Sequence, residues 1–133
     1  MVEYEIVFDG GSLGNPGHGY GSFAISENGR QLVLEKLDYA YLGNQVTNNQ
    51  AEYLTLVHAL EHVVLMRGSE LTDTSVIVRG DSLLVVNQLA GKWKVKNEGL
   101  RPLYQRAGEL LSKFGRRELI WHERAKSVRV LGH

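Results

Sequence analysis

Asn28-Gly29 lies between two runs of alternating apolar residues, 20–26 and 31–37, and this arrangement narrows the fold more than any bulk property of the chain. The pair tolerates the two successive positive φ angles of a two-residue hairpin turn, whose twist matches that of the strands it joins. Residues 2–8 alternate in the same way, with Val2, Tyr4, Ile6 and Phe8 set against Glu3, Glu5 and Val7. The first third of the chain therefore reads as three strands in an antiparallel meander.

Helical spacing then takes over. Thr47-Asn48-Asn49-Gln50 opens a pattern in which Tyr53, Leu54, Val57, Leu60, Val64 and Leu65 recur at helical intervals, with Gly68 as its stop. Ser-Val-Ile-Val-Arg at 75–79 reads as a short buried strand. Asp81-Ser82 starts a helix that Gly91 ends, and Asn97 is placed to cap another that stops at Gly115. Residues 118–122 read as the last strand. The order is βββαβααβ. Strands 1, 4 and 5 are joined through helices and are expected to run parallel. The expectation is an α/β fold: one domain over residues 1–133, with a mixed five-stranded sheet flanked by helices.

Composition excludes several kinds of chemistry. The 133 residues contain no cysteine, so disulfides, a thiolate nucleophile and a cysteine zinc site are all ruled out. No apolar run approaches the roughly 20 residues that cross a bilayer, and the acidic start lacks the basic region of a signal peptide. The expectation is a monomeric cytoplasmic protein without a membrane partner. The zero net charge hides a division: residues 1–70 carry nine acids against three bases, residues 71–133 six acids against twelve. An acidic half suits a metal and a basic half suits a polyanion, although solvated helix faces account for the same charges.

Three acids stand at structured positions. Asp9 follows the first strand in Phe8-Asp9-Gly10-Gly11-Ser12-Leu13-Gly14-Asn15-Pro16-Gly17, Glu52 lies in the first turns of the long helix, and Asp81 follows the fourth strand. In sheets with parallel strands, sites gather at the carboxyl ends of neighbouring strands. Converging carboxylates repel and call for cations, and an all-oxygen set favours Mg²⁺ or Mn²⁺ over zinc. Each acid also has a plainer role: Asp81 as a helix cap, Glu52 as a partner of the helix dipole, Asp9 as a turn residue.

Together, Phe8-Asp9-Gly10-Gly11-Ser12 with Asn15-Pro16-Gly17, Thr47-Asn48-Asn49-Gln50-Ala51-Glu52, and Gly80-Asp81-Ser82 with Leu84-Val85 and Gln88-Leu89 resemble ribonuclease H of type 1 in order and spacing, over nearly the whole chain. The resemblance implies a ribonuclease H-like fold and an endonuclease that hydrolyses the RNA strand of RNA/DNA hybrids with two Mg²⁺ or Mn²⁺ ions. It implies that Asp9, Glu52 and Asp81 bind the metal, Glu52 also lying near the ribose. It places Gly10, Gly11, Ser12, Asn15, Asn48, Asn49, Gln50, Ser82 and Arg124 on the nucleic acid, reading the 2′-hydroxyls that distinguish RNA from DNA. Asn48 and Asn49 taken alone are more ordinary helix caps.

The pattern breaks at the end. The family carries a fourth carboxylate in a stretch like Trp-Val-x-Arg-x-x-Asn-x-x-Ala-Asp; here Trp121 and Arg124 match, Ser127 replaces Asn, and Leu131 falls where Asp belongs. Three readings stay open: a fourth ligand beyond residue 133, His133 in its place, or a site of three carboxylates. The family's closing helix is expected to be missing or truncated, and activity to be reduced or Mn²⁺-dependent. His133 also reads as a disordered last residue, His58 and His62 as solvated or core-edge residues rather than a metal pair, and His18 as a turn residue rather than a nucleic-acid contact.

Lys92-Trp93-Lys94-Val95-Lys96 interleaves bases with an aromatic ring and suits phosphate and sugar contact, the alternative being Trp93 in the core with solvated lysines. The chain resembles compact family members without a full basic handle. Two further functional readings compete: a hybrid- or double-stranded-RNA-binding module with an impaired site, and a relative acting on DNA or RNA 3′ ends.

Overall fold

A computed structural model describes residues 1–133. Its elements are β1 (Val2–Leu13), β2 (His18–Glu27), β3 (Arg30–Asp38), α1 (Asn48–Arg67), β4 (Thr74–Gly80), α2 (Leu83–Leu89), α3 (Arg101–Ser112), β5 (Arg116–Trp121) and α4 (Arg124–Leu131). The sheet order is β3-β2-β1-β4-β5, with β1 antiparallel to β2 and parallel to β4, and β5 parallel to β4. Asn28 and Gly29 turn β2 into β3 with φ of 48° and 86°, the conformation the sequence demanded.

Alternation along β1 assigns its two faces. Tyr4, Ile6 and Phe8 point into a core of 20 buried residues shared with Tyr53, Leu56 and Leu60 of α1. Val7 points the other way, where Leu131 of α4 covers it together with Ala24. Burying a side chain such as Leu131 contributes about 2 kcal/mol, and this holds the last helix on the sheet.

The structure departs from the sequence reading in three places. First, β1 does not stop at Asp9. Its parallel ladder with β4 ends at Phe8↔Gly80, while the antiparallel ladder with β2 continues to Leu13↔His18, so Asp9 lies where β1 leaves one neighbour and keeps the other. Second, Asn97 does not cap α3; its side chain accepts from the Gly99 N–H, and the helix begins at Arg101 with Pro102 in its first turn. Third, the closing helix is present. Helix α4 adds one element to the expected order, and the hydroxyl of the fully buried Ser127 meets the His122 ring at 2.6 Å to pin its first turn.

Candidate active site

The three acids arrive from three elements. Helix α1 starts with a capping box, in which the Thr47 hydroxyl accepts from the Gln50 N–H and the Gln50 side chain accepts from the Thr47 N–H. Its first turns lie directly on β1: a Cβ on Gly10 would come within 2.6 Å of the Ala51 carbonyl and 2.7 Å of the Glu52 nitrogen. Only glycine permits that approach, and it brings Glu52 beside Asp9. Asp81 follows β4 directly, and the Trp121 indole donates to its carbonyl at 3.1 Å.

One oxygen from each of Asp9, Glu52 and Asp81 lies within 4.8 Å of the others. Asp9 and Glu52 are buried, and the Asp81 side chain is only 10% exposed. Asp9 Oδ1 and Glu52 Oε2 are buried without any hydrogen-bond partner. An orphaned buried polar atom costs about 1–3 kcal/mol, and more when charged. Burial first, and then the charges of Asp9 and Asp81, push the Glu52 carboxyl up to about 9. The same burial, followed by the Asp81 charge, raises Asp9. A group of hard oxygen donors, too close to ionise together and short of partners, fits a divalent cation such as Mg²⁺ or Mn²⁺.

One cation and a histidine border the trio. Arg124 Nη1 lies 3.5 Å from Asp81 Oδ2. His133 lies against the site, with Nε2 3.0 Å from Ser22 Oγ and 3.5 Å from Asp9 Oδ2. Leu131, counted into the place of the fourth carboxylate, is buried in the small apolar cluster with Val7 and Ala24.

A cleft of about 600 Å³ opens over Glu52 and Asp81, lined also by Gly10, Gly11, Ser12 and Asn48 among others. Its rim is braced internally. The Ser12 N–H donates to Asn48 Oδ1 at 2.8 Å, and the Asn48 N–H donates to Asn15 Oδ1 at 2.9 Å. Asn49 is exposed beside them. Gln50 and Ser82 spend their oxygens on helix caps.

Lys92, Trp93 and Lys94 line a separate cleft with Arg101 and Tyr104, and Lys96 is exposed nearby. Trp93 is 48% exposed, which removes the alternative of a core residue. His58 stacks on Tyr39 and His62 meets the edge of Phe23, at the border of the core. Sequence reasoning missed Tyr20, Ser22 and Lys36, whose position follows from strand register: Gly11 pairs with Tyr20, and Asp9 with Ser22, which in turn pairs with Lys36.

A mixed sheet of this order, with acids gathered where β1 parts from β4, defines a ribonuclease H-like domain. The structure matches that of RNase H1 from the archaeon Halobacterium salinarum with a TM-score of 0.81 at 34% identity, covering 96% of this chain and 90% of that one. It matches LC11-RNase H1 in complex with an RNA/DNA hybrid with a TM-score of 0.83 at 30% identity, covering 95% and 89%. A family profile described as reverse transcriptase-like covers residues 8–130, and the chain belongs to that family. Among curated relatives, the bifunctional protein Rv2228c of Mycobacterium tuberculosis is 38% identical over 124 residues, 92% of this chain. The chain spans 32% of that relative's length. Ribonuclease HI of H. salinarum is 37% identical over 107 residues, 80% of this chain and 50% of the relative. No helix is long and apolar enough to cross a membrane.

Proposed function

We propose that this chain is a divalent-metal-dependent endonuclease that hydrolyses the RNA strand of RNA/DNA hybrids. The observation that carries the reading is the trio Asp9, Glu52 and Asp81, with oxygens within 4.8 Å of one another and two of those carboxylates holding buried, unpartnered atoms. The names of the relatives and the hybrid-bound RNase H1 neighbour support the substrate class.

Asp9, Glu52 and Asp81 hold the metal, with His133 as the nearest further donor. A pair of bound Mg²⁺ or Mn²⁺ ions supplies an activated water and stabilises the leaving oxygen. The protein's own groups do the rest. Trp121 and the turn after β4 fix the Asp81 backbone, and the glycine contact under α1 fixes Glu52. Asn48, exposed on the cleft rim, presents a short amide suited to a 2′-hydroxyl that both donates and accepts. Arg124, exposed beside Asp81, is placed to meet phosphate. Lys92, Trp93, Lys94 and Lys96 offer a second contact further along a duplex.

The test uses labelled RNA/DNA hybrid, duplex RNA and duplex DNA with Mg²⁺ or Mn²⁺. Internal cuts confined to the RNA of the hybrid, ending in 5′-phosphates, are expected. Binding without cuts in either metal would instead identify a hybrid-binding module.

A further inference from the structure

Asp9, Ser22 and Lys36 form one row across three adjacent strands, because Asp9 pairs with Ser22 and Ser22 with Lys36. Directly paired residues share a face, so all three side chains stand on the side of the sheet that α4 covers. Two strand spacings of about 4.8 Å put the Lys36 Cα roughly 10 Å from that of Asp9. A cleft of about 340 Å³ sits on this row, with Tyr20 at one edge and Arg124 and His133 of the α4 segment at the other. It is distinct from the cleft over Glu52 and Asp81, although both share Tyr20 and Arg124.

The charge of this second cleft is unlike that of the sequence around it. Residues 1–70 hold only three bases. Arg67 is paired with Glu70 at 3.0 Å, Arg30 lies at the hairpin turn, and Lys36 alone faces the site. Lys36 is exposed and makes no ion pair. Once Asp9 is occupied by a cation, the remaining charged side chains, Lys36 and Arg124, are positive, and Ser22 and His133 add hydrogen-bonding groups. An anion is the matching occupant.

We propose that Lys36 and this cleft bind the phosphate adjacent to the scissile one on the cleaved strand, a flanking subsite that sets the register of the RNA over the carboxylates. A lysine stem directed back along the row brings its ammonium within one nucleotide of a phosphate held at Asp9. The phosphates of the other strand lie across a wide minor groove and are out of its reach. The inference rests on the nuclease reading of the same site.

The test compares wild type, Lys36→Ala and Lys36→Arg. An exposed lysine without partners can be truncated with little effect on stability, so equal melting temperatures are expected. Affinity for a short RNA/DNA hybrid is measured in a fixed concentration of Ca²⁺, which occupies the carboxylates in place of the catalytic ion, across a range of monovalent salt, and cleavage in Mn²⁺. Lys36→Ala is expected to flatten the plot of log affinity against log salt by about 1 and to raise KM with kcat unchanged, while Lys36→Arg keeps most of the affinity. A single neutral methylphosphonate next to the cut should weaken binding to wild type about tenfold and leave Lys36→Ala indifferent. An unchanged salt slope, or an equal methylphosphonate penalty in both proteins, overturns the subsite while hybrid cleavage by wild type leaves the nuclease reading standing. A wild-type protein that neither binds nor cuts hybrid overturns both.

Discussion

The Nε2 of His133 stands 3.5 Å from Oδ2 of Asp9, so a nitrogen donor closes the side of the trio that Ser22 faces. Imidazole is a softer ligand than carboxylate and suits Mn²⁺ better than Mg²⁺. Cleavage is therefore expected to be faster in Mn²⁺, and His133→Ala to lower Mn²⁺ affinity about tenfold by calorimetry. His133→Asp should shift the preference toward Mg²⁺. Equal rates in the two metals, unaffected by either substitution, would remove His133 from the site.

Leu131 occupies the position where the family resemblance calls for an acid, yet it packs on Val7 and Ala24 and is 1% exposed. Leu131→Ala is expected to cost about 2 kcal/mol in urea unfolding. Leu131→Asp should cost more, because it buries a charge in an apolar cluster, and should not improve metal binding. A stable Leu131→Asp protein with tighter Mg²⁺ would show that this position belongs to the site.

Glu52 gives the metal-free protein a pH dependence with a definite sign. Its folded pKa of about 9 lies above the ordinary 4.5, so the native state keeps a proton that the unfolded chain has lost. Stability of the metal-free protein should fall as pH rises from about 4.5 toward 9. Glu52→Gln should flatten this slope and raise stability at pH 7 by on the order of 2 kcal/mol. Thermal melts in chelator across this range check it, and an unchanged slope in Glu52→Gln would contradict the burial argument.

His122 ties pH to the last helix. Its burial first, and then nearby Arg79 and Lys126, hold its pKa below the ordinary 6.5. The unfolded chain therefore takes up a proton before the native state does, and stability is lost as pH falls below 6.5. Hydrogen exchange in α4 should rise on acidification. Ser127→Ala, which removes the 2.6 Å partner of the His122 ring, should raise exchange there even at neutral pH.

Much of this architecture is legible in the chain. Asn28-Gly29 dictates its turn locally, and the long apolar period of α1 leaves no other element type. The three acids are legible because each lies beside strong local punctuation, Asp9 before the glycines, Glu52 after the capping box and Asp81 after Gly80. The path of β1 through Gly10 and Gly11 is not, since glycine weakens a strand and reads as its end. What decides that path is tertiary: α1 needs a bare backbone at Gly10. Helix α4 is hidden for a similar reason. Half of its residues are basic or polar, and its place depends on two contacts outside the helix, Leu131 on Val7 and Ser127 on His122. Lys36 escapes notice because it lies far from Asp9 in sequence and comes into the same row only through strand register.

The most direct measurement is the anomalous signal of crystals soaked in Mn²⁺. The predicted result is a manganese ion bound jointly by oxygens of Asp9, Glu52 and Asp81, lost in Asp9→Asn. Crystals in which no ion lies among these three side chains, at concentrations where the protein cuts hybrid, would contradict the account.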